Sequence, residues 1–155
     1  MSTPLRRPML GFTILELIIA FALLAVVTAF AVPSFQTFIA RNRVKSASEQ
    51  LQSALFYIRS EALKRNQTVT LTCNAGGCQQ GWVITSGASA TQLAVQGPFN
   101  DSRLNVSGTT TTAAVNRNGR AAATAAFTVS RSDAGQQRCV RLYLSGLSDV
   151  RDSGC

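Results

Sequence analysis

The feature that most constrains this chain is an apolar run from Phe12 to Val32, in which the polar residues are Thr13, Glu16 and Thr28. As a helix rising 1.5 Å per residue, the run matches a hydrocarbon core of about 30 Å, so it can span a bilayer. An ionised side chain costs about 2.5 to 3.5 kcal/mol at mid-membrane and less near a helix end. We therefore expect Glu16 to have a specific role.

The length and charge of the chain limit what the residues beyond this run can form. Of its 155 residues, roughly 120 remain for folding, which is enough for one small globular domain with a single core. The formal net charge is +8, of which Arg6 and Arg7 contribute two. Such an excess of positive charge suits an acidic partner, such as nucleic acid or an anionic membrane surface.

The composition argues against catalysis. The sequence contains no histidine, which removes the commonest general base and the commonest metal ligand together. The glycines at positions 76, 77 and 81 are not followed by the Lys-Ser or Lys-Thr of a phosphate-binding loop. We therefore expect a protein that is not an enzyme, with no cofactor and no metal site.

The four cysteines all lie beyond the apolar run, and an even number in an exported domain favours disulfides. Their spacing lacks the two-residue gaps that are typical of zinc-binding thiolates. Among the three connectivities, we favour bridges between sequence neighbours, Cys73 with Cys78 and Cys139 with Cys155. Closing the longer loop should stabilise the fold by about 3 kcal/mol in the chain-entropy model.

The opening segment, MSTPLRRPMLG, contains two arginines and no acid, which is typical of a targeting segment. The alternative is an ordinary secretory signal that is cleaved after Ala29-Phe30-Ala31. The length of the apolar run, the presence of Glu16 within it and the helical pattern beyond it oppose that alternative. We predict a leader at 1–11, a transmembrane helix at 12–33, and an exported globular domain at 34–155.

Periodicity predicts the fold class. Beyond Pro33, which should kink the helix, apolar residues keep a three-four spacing as far as about Arg65. The predicted stripe consists of Phe35, Phe38, Ile39, Val44, Ala47, Leu51, Ala54, Leu55, Ile58 and Ala62. After Asn66, short alternating segments predict antiparallel strands in TVTLTC, GWVIT, TQLAVQ, RLNVS, AAFTVS and CVRLYLS. The expected class is α+β, with a long kinked helix packed on a small antiparallel sheet.

The N-terminal residues resemble the type IV prepilin signature: Gly11, the aromatic Phe12, Glu16 as the fifth residue after the cut, and an apolar helix with Pro33 near its end. The resemblance implies that a prepilin peptidase and methyltransferase cleaves after Gly11 and methylates the new N-terminus at Phe12. It also implies that Glu16 pairs with the Phe12 amine of a neighbouring subunit, as suits a carboxylate in hydrocarbon. The alternative, a Glu16 that snorkels to the interface, leaves Gly11 and Phe12 unexplained.

A second resemblance concerns IRSEALKRNQTVTLTC, from Ile58 to Cys73, and the GWVI that begins at Gly81. These segments are similar to the helix-to-sheet junction of FimT/FimU-type minor pilins, a GspH/FimT domain that H-type pseudopilins of type II secretion share. The resemblance implies the pilin fold and a minor pilin that primes or caps pilus assembly with other minor pilins and the major pilin. It also implies a single-pass inner-membrane protein with a periplasmic domain, which later enters a pilus or, if it is an H-type pseudopilin, a pseudopilus.

A further alternative is a DNA-binding pilin. One branch of FimT-like proteins takes up DNA in natural transformation and carries a Gly-Arg-x-Arg motif near the C-terminus. The corresponding place here reads GLSDVR, so only Arg151 matches. Other candidate phosphate contacts are Arg117 and Arg120 in NRNGR, joined by Arg138 and Arg141 across strands. A solvated basic surface is the alternative explanation for each of these arginines.

Overall fold

The structure is a computed structural model that describes residues 11–155, except for the side chains of residues 30–33. The predicted leader therefore lies, apart from Gly11, outside the described residues. The elements are α1 (Ile14–Arg65), β1 (Val69–Cys73), a 3-10 turn (Cys78–Gln80), β2 (Trp82–Ser86), β3 (Thr91–Gln96), β4 (Leu104–Gly108), β5 (Thr112–Val115), β6 (Ala125–Arg131), β7 (Gln137–Leu142) and β8 (Ser148–Arg151). Internal contacts divide the chain between Gln36 and Thr37 into an N-terminal and a C-terminal unit.

Helix α1 ends where the sequence predicts it to end, at Arg65. Asn66 adopts the left-handed conformation with φ 54°. The N–H of Gln67 donates to the carbonyl of Ala62 at 3.2 Å, and the N–H of Asn66 donates to that of Leu63 at 3.4 Å. This is a Schellman motif, which satisfies carbonyls that the helix leaves without partners. The helix assignment continues through Pro33, and the kink there stays a prediction.

The C-terminal half of α1 supplies one side of the core. The predicted stripe is confirmed from Val44 to Ala62 and also includes Ala40 and Ser48. Its first three members are exposed instead, at 63% for Phe35, 59% for Phe38 and 40% for Ile39. The shared core begins only at Ala40, so these side chains precede the part of the helix that the strands cover.

The strands form two antiparallel sheets, where the sequence pattern predicts one. The first sheet has the order β3-β2-β1-β5 and the second has the order β4-β6-β7-β8. Neither β5 nor β8 is predicted from the sequence, because TAAV is rich in alanine and SDVR carries two charges. Pairing with β1 and β7 respectively places these segments in the sheets. The α+β class with antiparallel pairing is confirmed.

Two disulfides fasten the C-terminal unit. They join Cys73 to Cys78 and Cys139 to Cys155, the pairing of sequence neighbours that the spacing favours. The N–H of Cys155 donates to Oγ1 of Thr128 on β6 at 3.0 Å. The bridge and this hydrogen bond hold the C-terminal tail against the second sheet.

Two hairpin turns of the same shape lie next to each other, at residues 116–120 and 143–147. In each, a left-handed glycine donates its N–H to the carbonyl three residues earlier: Gly119 to Asn116 at 2.9 Å and Gly146 to Tyr143 at 2.8 Å. This is the three-residue loop that pairs a type I turn with a glycine bulge. A Cβ on Gly146 would overlap the carbonyl oxygen of Gly119, so the two turns are in close contact.

Candidate functional site

The N-terminal part of α1 presents an apolar surface with no covering layer within the N-terminal unit. Every large apolar side chain from Phe12 to Val27 is more than half exposed. Within the described residues, α1 is the helix that is long and apolar enough to cross a membrane. Apolar surface of this extent is typical of a segment that contacts lipid or other apolar helices.

Glu16 caps the start of this helix. The N–H of Glu16 donates to Oγ1 of Thr13 at 3.2 Å, and the N–H of Thr13 donates to Oε2 of Glu16 at 3.4 Å. The reciprocal pair is a capping box, in which two backbone donors at a helix N-terminus are satisfied by side chains. This role was missed in the sequence, although the Thr-x-x-Glu spacing could have indicated it.

The predicted cleavage bond lies just ahead of the cap. Residues 11–13 precede the first helical residue, Ile14, and both Gly11 and Phe12 are exposed. A Cβ on Gly11 would meet no atom within 4 Å. The bond between Gly11 and Phe12 therefore lies in accessible, non-helical chain, as peptidase attack requires.

Three of the five candidate DNA-binding arginines face carboxylates. Nε of Arg138 lies 2.7 Å from Oδ1 of Asp152, and Nε of Arg151 lies 2.9 Å from Oδ2 of Asp149. Arg141 on β7 stands opposite Asp149 in the register with β8. The charges of these arginines are therefore compensated, at least in part, within the chain.

Asp149 is the centre of this second-sheet cluster. Burial raises its pKa, but hydrogen bonds from Arg151 and Tyr143 and the nearby charges of Arg151 and Arg141 outweigh burial and hold the pKa below its ordinary value. The hydrogen bond to Asp149 likewise raises the pKa of Arg151. Both partners are ionised at neutral pH, so Arg151 is already engaged before any phosphate approaches.

Arg117 and Arg120 are placed differently. Both are exposed on the 116–120 turn, and neither forms an ion pair within the described part of the chain. The side chain of Asn116 fixes the turn by accepting the N–H of Asn118 at 3.0 Å and that of Arg120 at 3.1 Å. Arg151, at the end of β8, instead donates to Asp149 at 2.9 Å and to the hydroxyl of Tyr143 at 3.1 Å.

Glu61 is a buried carboxylate near the end of α1. Its side chain is 8% exposed, and its oxygens lie 2.5 Å from Nε of Arg65 and 3.5 Å from Nζ of Lys64. The sequence spacing predicts ordinary ion pairs on an exposed helix surface. The structure differs from this prediction because Glu61 is buried. The hydrogen bond from Arg65 lowers the pKa of Glu61 below 4.5, assisted by Lys64 and opposed by burial.

We predict that Glu61 makes the stability of the domain depend on acid. Because folding lowers this pKa, the carboxylate stabilises the fold at pH values above its unfolded pKa, and this contribution is lost as the pH falls through the lower pKa of the folded state. The melting temperature of the native chain should fall more between pH 6 and pH 3 than that of Glu61→Gln. The matched control is Glu49→Gln, which removes the exposed pair with Lys45. Equal slopes for all three proteins would contradict the prediction.

The described residues offer no metal centre. Among residues 11–155, no group of three His, Cys, Asp or Glu side chains could hold a metal ion. All four cysteines of this range are in disulfides. The candidate functional surfaces are the apolar part of α1 and the 116–120 turn with Arg117 and Arg120.

Comparisons with known proteins agree with this geometry. A family model described as type II transport protein GspH matches residues 47–146, and one described as a prokaryotic N-terminal methylation motif matches residues 6–32. No curated protein matches the sequence. Two crystal forms of the type IV minor pilin FimU from Pseudomonas aeruginosa are similar in structure, with TM-scores of 0.64 and 0.59 at 20% identity. The alignments cover 74% and 69% of this chain and 92% and 91% of FimU.

At this identity, the likeness to FimU shows the fold alone, a long N-terminal helix packed on antiparallel sheets. The family is shown by the sequence model. Because the GspH model covers more than half of the chain and the methylation motif covers the apolar helix, this protein belongs to the GspH family of structural, pilin-type subunits.

Proposed function

We propose that the mature chain is a minor type IV pilin, a structural subunit that primes or caps pilus assembly at the inner membrane. The observation that carries the proposal is the exposed apolar helix capped by Glu16 on a disulfide-bonded domain. In the bilayer these side chains contact lipid, and in a filament they contact the helices of other pilins. One surface thus serves as anchor and as assembly interface.

Processing and assembly act on the same few residues. Prepilin peptidase removes the leader 1–11 and the enzyme methylates Phe12, which leaves the assembly helix 12–33 and the periplasmic domain 34–155. The new amine at Phe12 is a positive charge that lies just before the capping box of Thr13 and Glu16. Because a carboxylate in hydrocarbon favours a charged partner, Glu16 pairs with the Phe12 amine of the next subunit in the filament.

Mass spectrometry of the membrane-extracted protein tests this proposal. We expect a mature N-terminus at Phe12 that carries one methyl group, and we expect Gly11→Val to leave the leader in place. The matched control is Gly97→Val, because a Cβ on Gly97 would likewise meet no atom within 4 Å and this residue is far in the sequence from the cleavage bond. A mature terminus at Val32 would support the secretory-signal alternative and would contradict the pilin proposal.

An H-type pseudopilin of type II secretion is the second candidate, favoured by the description of the matching family model. Processing and Glu16-dependent assembly are the same for both functions, so mass spectrometry of the N-terminus does not separate them. The binding partners separate the two functions. Cross-linking in the native host should recover pilus subunits if the chain is a minor pilin and secretion pseudopilins if it is an H-type pseudopilin.

DNA binding is the third candidate, and the exposed charges of Arg117 and Arg120 favour it. Each phosphate contact adds about 0.9 to the slope of log affinity against log salt for duplex DNA. With these two arginines on one turn, we expect a slope of about 2 or less and weak binding.

A salt series with the detergent-solubilised mature chain and labelled duplex DNA measures this slope. Any binding should vanish in Arg117→Ala/Arg120→Ala and persist in Arg138→Ala/Arg151→Ala, whose arginines already pair with carboxylates. A slope of about 5 or more would mean many phosphate contacts and would support DNA uptake over the pilus-assembly role. Loss of binding in the second variant would show that the paired arginines do reach phosphate.

A further inference from the structure

An exposed patch lies at the end of the C-terminal unit where α1 meets the two glycine turns. Three leucines are about half exposed there: Leu63 at 52%, Leu144 at 50% and Leu147 at 52%. A Cβ on Gly119 would lie 3.1 Å from Cδ2 of Leu63, so the helix contacts the first turn. We call this surface the turn patch; its members are Leu63, Leu144, Leu147, Arg59, Arg117 and Arg120.

The arginines of the turn patch surround the contact between the turns. Nε of Arg59 would lie 3.5 Å from a Cβ on either Gly119 or Gly146, so this guanidinium sits beside both turns. Arg117 and Arg120 flank Gly119 and are exposed. The patch therefore combines half-exposed leucines with guanidinium groups, and Leu63 and Arg59 both lie against the turn at Gly119.

The carboxylates of the chain are engaged elsewhere. All seven acidic residues lie within the described range, and each contacts a partner within the chain. Those contacts join Glu16 to Thr13, Glu49 to Lys45, Glu61 to Lys64 and Arg65, Asp101 to Arg131, Asp133 to Arg103 and Arg131, Asp149 to Arg151, and Asp152 to Arg138. Within residues 11–155, Arg59, Arg117 and Arg120 form no ion pair, so the patch fits carboxylates from outside the chain.

Charge and side-chain chemistry argue against two other occupants of the turn patch. A second mature copy, without Arg6 and Arg7, keeps a side-chain net charge of +6, and the carboxylates of its C-terminal unit already pair with basic residues of that unit. For nucleic acid the leucines contribute nothing, since stacking requires exposed aromatic side chains.

We propose that the turn patch docks a different, acidic subunit of the same filament, through a protein surface with an apolar centre and a rim of Asp and Glu. Interfaces of this kind combine buried apolar anchors with arginines that select and orient the partner. This inference rests on the proposed pilin function and goes further, because it names a second interface and the chemistry of its partner.

Photo-cross-linking of the full chain in native-host membranes tests the inference. A benzoylphenylalanine probe replaces Leu147 in the patch, and a control probe replaces Val95, which is 55% exposed on the edge strand β3. We expect the Leu147 probe to yield about tenfold more of one adduct with a different pilin-type subunit, as for a specific interface centre. Arg117→Glu/Arg120→Glu should remove that adduct, and Arg117→Lys/Arg120→Lys should retain it.

A third probe, at Ile18 in the apolar helix, separates this inference from the proposed function. Helix adducts without a patch adduct would overturn the inference and leave the pilin function standing. Patch adducts only with lipid, nucleic acid or a second copy would overturn it too, as would an adduct that Arg117→Glu/Arg120→Glu leaves unchanged. If neither probe yields a pilin-type adduct, both the inference and the proposed function fail.

Discussion

Replacing Glu16 with Val is expected to remove the subunit from filaments while leaving it processed and in the membrane. Valine makes the helix more apolar, so insertion and cleavage proceed. In the proposed filament, however, the Phe12 amine of the next subunit then has no carboxylate to pair with. Removing one partner of a buried ion pair costs about 3 to 5 kcal/mol, and each 1.4 kcal/mol is a factor of ten. The amount of this subunit per major subunit in sheared filaments should fall at least about a hundredfold, measured by quantitative mass spectrometry.

Two further variants separate the charge of Glu16 from its capping role. Glu16→Gln keeps an oxygen that can accept the Thr13 N–H but removes the charge, because Gln also completes a capping box. Thr13→Ala keeps the charge and removes the side-chain cap of the Glu16 N–H, a loss of about 1 kcal/mol. We expect Gln to fail in assembly like Val, and Thr13→Ala to assemble nearly as well as the native chain. Normal assembly of the Gln variant would show that the ion pair is not required.

Local signals in the sequence predicted much of the fold. The stripe from Val44 to Ala62 can be recognised in the sequence because burial against the strands requires apolar residues at the helical spacing. The helix end is readable because Asn66 tolerates the left-handed conformation that a Schellman motif requires. The N-terminal methylation motif, which a family model matches over residues 6–32, can be recognised for a similar reason, since Gly11, Phe12 and Glu16 lie within six residues of one another.

Features that depend on strand pairing and sheet packing, and not on the local sequence pattern, could not be predicted. β8 has a weak strand sequence and forms because β7 pairs with it, which places Asp149 opposite Arg141. The pairing of β7 with β8 decides which arginines face carboxylates and which remain free to bind a phosphate. The sequence could therefore name the candidate DNA-binding arginines but could not show which of them form ion pairs within the chain. The contact between the two glycine turns, which creates the turn patch, likewise depends on how the sheets pack.

Removing the disulfide between Cys139 and Cys155 is expected to destabilise the domain more than removing the one between Cys73 and Cys78. In the chain-entropy model the longer loop is worth about 3 kcal/mol and the shorter one about 2 kcal/mol, because stabilisation grows with the logarithm of loop length. Cys139 is fully buried, so alanine is the appropriate replacement in each pair. The melting temperature of Cys139→Ala/Cys155→Ala should fall by roughly 10 °C or more.

Peptide mapping without reduction must accompany this comparison, because the energies presuppose the pairing. The native chain should yield two bridged peptides that join sequence neighbours, and a peptide that links Cys73 to Cys139 would refute the pairing. The longer bridge also retains the tail that donates a hydrogen bond to Thr128, so its loss should expose residues 152–155 to carboxypeptidase before the domain melts. Resistance of the tail in Cys139→Ala/Cys155→Ala would mean that the Asp152 ion pair with Arg138 holds it without the disulfide.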